Sequence, residues 1–161
     1  MLIDTHCHIH DPNYDWTPDD VIKRSIELGI EKFITIGTSI EDSFKAAEFA
    51  KNRENVWWTL GYHPEEYDGD KGRLESELAR AKELLKDGKL AGIGEVGLDY
   101  HSEGYNKQIQ IYLLENMLQI AQDNKLPVSF HVRDAFEDFW AVFDNFHLVP
   151  SVLHSYSDNE K

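Results

Sequence analysis

Short apolar runs alternate with longer amphipathic segments along the whole chain, and this alternation narrows the possible folds to a few. The six runs lie at residues 2–3, 33–36, 56–60, 90–93, 128–130 and 152–153. Runs of this length, rich in β-branched and aromatic residues, are typical of strands buried on both faces of a sheet. Because an amphipathic segment separates each run from the next, the order predicts a parallel sheet with right-handed helical crossovers.

The segments between the runs carry the signals that start helices. Thr17 is followed by a proline and two acidic residues, and Ser39 is followed by two acidic residues within the next three. Hydroxyl N-caps, a proline at the first helical position and acidic first turns all favour helix starts. Apolar residues spaced three and four apart within 114–121 predict one helix face, and further helices are expected at about 73–87 and 134–146.

The spacing of the units favours a barrel. Five strand-to-strand steps lead from Ile3 to Val152, so each unit takes about 30 residues, close to the repeat of an eight-unit TIM-type barrel. Spacing alone leaves a doubly wound sheet as the alternative. We expect one domain over residues 1–161, forming an α/β, incomplete TIM-type (β/α) barrel of about six parallel strands and five helices.

The same count predicts open edges. A closed barrel needs roughly two further units, so we expect a chain that is shortened at its C-terminus. The first and sixth strands would then have no neighbour on one side. Because exposed strand edges pair readily with other chains, self-association through these edges is predicted.

The charge of the chain limits its partners. Thirty acidic residues against 16 basic ones give a net charge of −14 at pH 7, which excludes a basic module that binds nucleic acid through its own charge. The single cysteine, Cys7, leaves no intramolecular disulfide and favours a reducing compartment. Neither a signal peptide nor an apolar stretch of membrane-spanning length is evident. We therefore expect a cytoplasmic protein without a membrane partner.

Side chains that can bind metal ions follow almost every apolar run. They are His6, His8, His63, Glu95, His131 and His154. The carboxyl ends of parallel strands meet on one face of a sheet or barrel, so we expect these side chains to converge there. Any one of these histidines alone could equally be a capping or core residue, but the shared position predicts a site.

The ligand types point to divalent cations. His6 and His8 lie two residues apart on one predicted strand and therefore project from the same side of it. Glu95 can bridge two cations through its two oxygens, and His131 and His154 add nitrogen ligands from the next strands. Such ligands suit transition metals and are poor for Ca²⁺. Two cations held together can bind a phosphodiester and lower the pKa of water.

Five segments in order resemble the TatD-type deoxyribonucleases, metal-dependent hydrolases of the amidohydrolase-like TIM barrels. These segments are DTHCHI (4–9), GYHP (61–64), GEVGLDY (94–100), PVSFHVR (127–133) and VLHSY (152–156). The resemblance implies a (β/α)₈ barrel that cleaves DNA phosphodiesters from an end, using up to two divalent ions (Zn, Mn or Mg) and a metal-activated water.

The resemblance also implies roles for individual residues. His6, His8 and Glu95 match one metal site, and Glu95, His131 and His154 match a second site that shares the glutamate. His63 matches a histidine close to the substrate phosphate, which implies a catalytic and substrate-binding role.

One element of the family pattern has no counterpart in these 161 residues. The family's last ligand is an aspartate at the end of the eighth strand. Without it, we expect the His6 and His8 site to lack a carboxylate. The hypothesis that follows is a chain that binds metal weakly, or at one site, and is a poor catalyst alone.

Three further residues have two possible roles each. Arg133 lies two residues past His131 and could bind a substrate phosphate or pair with Asp134. Asp99 could line the pocket or cap a turn. Cys7 projects to the opposite side of its strand from His6 and His8, which favours a core thiol.

Three functions remain open at this stage. The leading one is phosphodiester hydrolysis of DNA. The second keeps the site and changes the bond to an ester or amide, as in removal of a wrongly attached amino acid from tRNA. The third is a non-catalytic barrel fragment that offers a structural or partner-binding surface.

Overall fold

The computed structural model describes residues 1–13, 15–67, 70–146 and 149–156. Strands and helices alternate strictly in it. Their order is β1 (Leu2–Cys7), α1 (Pro18–Glu27), β2 (Ile30–Ile36), α2 (Ile40–Lys51), β3 (Val56–Tyr62), α3 (Lys71–Leu84), β4 (Leu90–Asp99), α4 (Lys107–Asn124), β5 (Val128–Arg133), α5 (Phe136–Phe143) and β6 (Ser151–His154).

The predicted caps form. The Thr17 hydroxyl accepts a hydrogen bond from the Asp20 amide at 3.2 Å, and the Ser39 hydroxyl accepts one from the Asp42 amide at 3.1 Å. Each bond satisfies an amide that has no partner within the helix. The last helix is shorter than expected, because Asp134 has a left-handed backbone with φ of 53° and therefore cannot belong to it.

All six strands are parallel and pair in chain order, β1 to β6. The sheet curls so that its ends approach: the rings of His6 on β1 and His154 on β6 lie with centroids 3.4 Å apart. Six parallel strands and five helices therefore form a nearly closed TIM-type barrel, which confirms the predicted fold class.

The core lies between the sheet and its helices. Phe33, Trp58, Phe130 and Phe139 are each no more than 1% exposed, and burial of one such side chain contributes about 1.5–3 kcal/mol. This apolar layer holds the strands in register and so fixes where their carboxyl ends point.

The outer edges of β1 and β6 have no paired strand within the described residues. The expected open edges are therefore present, and Leu2 and Val152 on them are exposed. Self-association through these edges stays a prediction. In the same part of the chain, no helix has the length and apolar character needed to cross a bilayer.

Candidate metal centre

Glu95 lies at the centre of the candidate site. It is on β4 and only 5% exposed. Its amide donates a hydrogen bond of 2.8 Å to the Gly37 carbonyl, so β2 and β4 touch across β3. Gly61 on β3 permits this contact, because a Cβ atom there would lie 1.9 Å from the Gly37 oxygen and 2.4 Å from the Glu95 nitrogen. A glycine therefore fixes the position of the central carboxylate.

Two histidines face one oxygen of this carboxylate: His6 on β1 and His8, the first residue after that strand. The His6 Nε2 atom lies 3.4 Å from Glu95 Oε2, and the His8 Nε2 atom lies 3.9 Å from the same oxygen. The alternation of side chains along β1 puts both rings on one side of the strand, as the sequence predicts. His6, His8 and Glu95 form one group of possible ligands, called group A below.

The outer nitrogens of these two rings are anchored by other strands, one across the barrel and one adjacent to β1. His6 Nδ1 lies 3.3 Å from the Ser129 hydroxyl on β5, and His8 Nδ1 lies 3.1 Å from the Ile36 carbonyl on β2. Metal-binding histidines usually bond through their second nitrogen in this way, which fixes the ring orientation. The inner nitrogen of each ring is thereby turned towards Glu95.

The other oxygen of Glu95 faces β5. Its Oε1 atom lies 3.1 Å from His131 Nδ1. The His63 ring, at the end of β3, packs edge-on against His131 with centroids 4.4 Å apart. His63, Glu95 and His131 each offer a ligand atom within 4.8 Å of the others, and they form group B. The two groups thus share Glu95 and divide its oxygens between them.

An unsatisfied atom shows that this donor set fits a cation. His6 Nε2 is buried and has no hydrogen-bond partner among the described residues, although Glu95 Oε2 is 3.4 Å away. A buried nitrogen without a partner costs about 1–3 kcal/mol. A divalent cation between His6, His8 and Glu95 would remove that cost, and imidazole with carboxylate is a ligand set for transition metals.

The electrostatics favour the protonation states that ligands need. Burial raises the pKa of Glu95, but the hydrogen bond from His131 and the nearby rings of His6 and His63 outweigh it and hold that pKa well below its usual value. Burial lowers the pKa of both His8 and His63. The carboxylate is therefore ionised and these two imidazoles are neutral near pH 7.

His131 differs from the other rings. Burial lowers its pKa, but bonds to Glu95 and Asp99 reverse the direction and raise it. Both of its nitrogens face carboxylates, with Nδ1 lying 3.1 Å from Glu95 Oε1 and Nε2 lying 2.8 Å from Asp99 Oδ2. A cation at group B would take the place of a proton on the Glu95 side of this ring.

His154 is the last residue of β6, at the strand end as predicted, but stands outside groups A and B within the described residues. Its ring lies flat on that of His6, with an interplanar angle of 6°. Its Nε2 atom is 3.0 Å from the Ser155 hydroxyl. His63 occupies the place in group B that the family resemblance gives to His154, and the role of His154 as a ligand stays a prediction.

Arg133 and Asp99 lie beside group B. Arg133 is exposed at the end of β5, and Asp134 pairs with His101 at 2.9 Å. Asp99 is only 1% exposed and bonds to His131, a contact that the sequence analysis missed. The sequence signal that could have identified Asp99 is its position at the end of β4, four residues past Glu95.

Cys7 takes the predicted core orientation. Its thiol donates to the Ile34 carbonyl at 3.4 Å, and burial raises its pKa to about 12. The thiol is therefore protonated and takes no part in the candidate site.

Two curated proteins are similar to this chain over nearly its whole length. YabD of Bacillus subtilis, named as an uncharacterized metal-dependent hydrolase, is 30% identical over 159 residues, covering 98% of this chain and 61% of YabD. The 3'-5' ssDNA/RNA exonuclease TatD of Cronobacter sakazakii is 32% identical over 162 residues, covering 99% of this chain and 60% of that protein.

Solved structures match the fold. The crystal structure of YjjV, a TatD homologue from Escherichia coli, superposes with a TM-score of 0.89 at 25% identity, over 98% of this chain and 61% of that one. A TatD-family hydrolase from Entamoeba histolytica shares the fold at 24% identity, with a TM-score of 0.74 over 90% of this chain and 54% of that one.

The chain spans about three-fifths of the length of these curated relatives. The sequence profile of the family described as TatD related DNase matches residues 3–161. That match extends over almost the whole chain, so the protein belongs to the TatD-related DNase family.

Proposed function

We propose that this chain is a divalent-metal-dependent hydrolase that cleaves phosphodiester bonds of DNA through a metal-activated water. The observation that carries the proposal is the division of Glu95, whose Oε2 faces His6 and His8 while its Oε1 faces His131. One carboxylate that serves two imidazole groups is suited to holding two cations close together. The exonuclease name of the Cronobacter relative supports a nucleic acid substrate, single-stranded DNA or RNA.

In this reaction the side chains of the site would hold the positively charged metal ions in position. Bound divalent cations would supply the positive charge that stabilises a phosphodiester and would lower the pKa of water. Glu95 and the histidines of groups A and B would hold up to two ions, which we take to be Zn, Mn or Mg. We also propose His154 as a ligand beside His131, because its ring already lies against that of His6.

Two residues are proposed to contact the substrate. His63 lies beside His131, and Arg133 projects from the same side of β5 as His131. The net charge of −14 repels nucleic acid, so phosphate binding must depend on the cations and on such local donors. We expect Arg133→Met to raise KM for an oligonucleotide about tenfold with little change in kcat, since a charge-assisted hydrogen bond contributes about 1.5–3 kcal/mol.

The test is hydrolysis by the purified chain of four substrates, each with Mg²⁺, Mn²⁺ or Zn²⁺. The substrates are end-labelled single-stranded DNA, the matching RNA, a phosphomonoester and an aminoacyl ester. We expect metal-dependent shortening of the DNA from one end and no turnover with EDTA. Cleavage of the ester alone would favour the second function, and no turnover together with no metal binding would overturn the proposal.

Matched variants assign the activity to the site. Glu95→Gln removes the shared ligand, and Glu115→Gln makes the same change at an exposed position of α4. Loss of turnover is expected in the first variant and full turnover in the second. Equal activity in both would assign the hydrolysis to a contaminant.

The cytoplasmic location stays a prediction.

A further inference from the structure

Asp99 presents a buried carboxylate to one of the candidate ligands. It is the last residue of β4 and is 1% exposed. Its Oδ2 atom lies 2.8 Å from His131 Nε2, and its Oδ1 atom accepts a hydrogen bond of 2.9 Å from the His101 amide. Both oxygens are thus engaged, and the carboxylate has one orientation relative to the ring.

Gln110 on α4 fixes the main chain at the same residue. Its Oε1 atom accepts from the Asp99 amide at 2.8 Å, and its Nε2 atom donates to the Asp99 carbonyl at 2.8 Å. The Gln110 side chain is itself buried. This pair of bonds ties the end of β4 to α4 and fixes the main chain that carries the Asp99 carboxylate, while the His101 amide holds the carboxylate itself.

The arrangement decides which nitrogen of His131 is available. Asp99 and Glu95 are both ionised carboxylates that only accept hydrogen bonds, so when a cation takes the place of a proton on the Glu95 side, Asp99 holds the remaining ring proton on Nε2. The lone pair is then on Nδ1, the atom that lies 3.1 Å from Glu95 Oε1. Of the three rings that face Glu95, His131 alone has a carboxylate on its second nitrogen, since His6 faces a hydroxyl and His8 a backbone carbonyl.

We propose that Asp99, held by Gln110, is a positioning residue that keeps the His131 ring in the Nε2–H tautomer and so directs its Nδ1 lone pair at the cation of group B. The inference rests on the proposed function, since it needs group B to bind a metal ion. A carboxylate behind a metal-binding imidazole also makes the ring a better ligand, and loss of such a partner typically weakens metal binding 10–100-fold.

The variant Asp99→Asn distinguishes a role of the carboxylate in positioning His131 from a role in capping the turn at His101. The amide oxygen can still accept from the His101 N–H, so the turn is kept. Its NH₂ group then faces His131 Nε2 and must donate to it, which moves the ring proton to Nδ1 and blocks the ligand lone pair. Asp134→Asn is the matched control, because Asp134 also pairs with a histidine but at the exposed edge of the site.

Two measurements read out the effect. Nitrogen NMR of the histidine rings at pH 9 without metal should show a populated Nε2–H form of His131 in the parent chain and only the Nδ1–H form in Asp99→Asn. Calorimetric titration with Zn²⁺ and Mn²⁺ should show 10–100-fold weaker binding in Asp99→Asn and unchanged binding in Asp134→Asn.

The outcomes are distinguishable. If Asp99→Asn does not fold, Gln110→Leu tests the same link with the carboxylate retained, and weaker metal binding is expected because the partner of His131 is then less firmly held. Parent-like metal affinity and tautomer in a folded Asp99→Asn chain, or parent-like affinity in Gln110→Leu, would overturn the inference. If the parent chain itself binds no divalent ion, the proposed function fails instead.

Discussion

The imidazole of His6 lies flat against that of His154, with centroids 3.4 Å apart and planes 6° apart. These residues come from the first and last strands of the sheet, so the contact exists only because the sheet curls. Burial lowers the pKa of His154, and the neighbouring His6 lowers it further. Two stacked rings cannot both accept protons without repulsion.

This stack predicts a loss of stability on acidification of the metal-free chain. A histidine whose pKa is lower in the folded state contributes stability above its unfolded pKa of about 6.5, and the contribution is lost as the pH falls below that value. Urea unfolding in EDTA at pH 7.5 and 5.5 checks this. His154→Gln should lose less stability than the parent chain over that interval, and parallel losses would contradict the expectation.

Metal ions should stabilise the fold through Glu95. A ligand at about 100 times its Kd adds about 2.7 kcal/mol, which for a chain of this size raises Tm by roughly 5–10 °C. We expect this rise with Zn²⁺ or Mn²⁺ in thermal scans, its reversal by EDTA, and none in Glu95→Gln. A full rise in that variant would place the ions elsewhere.

Gly61→Ala should be one of the most damaging small substitutions. Its Cβ atom would lie 1.9 Å from the Gly37 oxygen and 2.4 Å from the Glu95 nitrogen, both backbone atoms. Overpacking typically costs about 1–3 kcal/mol, and the free energy of unfolding should fall by at least that amount. Gly88→Ala is the control, since nothing lies within 4 Å of its added atom. Equal stability of the two variants would refute the close approach of β2 and β4.

Cys7 should resist alkylation in the native chain. Its pKa of about 12 leaves almost no thiolate at pH 8, and the thiolate is the reactive form. Iodoacetamide should therefore modify the folded chain at least about tenfold more slowly than the chain in urea, given a free-cysteine pKa near 8.5. Mass spectrometry over time gives both rates, and similar rates would mean that Cys7 is exposed.

The predicted helix starts are confirmed where the sequence signal lies within a single turn of the chain. The caps at Thr17 and Ser39 lie where expected, because a hydroxyl that bonds an amide three residues on needs only its own turn. The final helix was overestimated at its start, because the left-handed backbone of Asp134 has no signal in the apolar periodicity.

The sequence predicts which site residues lie at the ends of strands, but it does not predict how their side chains are arranged around one another. His6 and His8 face Glu95 because side chains alternate along a strand. The place of His63 beside His131, and of Asp99 behind it, depends on distances between strands far apart in sequence. Register shifts near Glu95 in the β3–β4 and β4–β5 pairs set those distances.

The order of strands and helices and the residues that end each strand are encoded locally, because both follow from periodicity and capping. Which nitrogen of each ring faces Glu95, and which oxygen of Glu95 it meets, depends on the folded chain. Sheet curvature and the approach of β2 to β4 across Gly61 control that choice. These are consequences of packing among distant segments, and no local pattern encodes them.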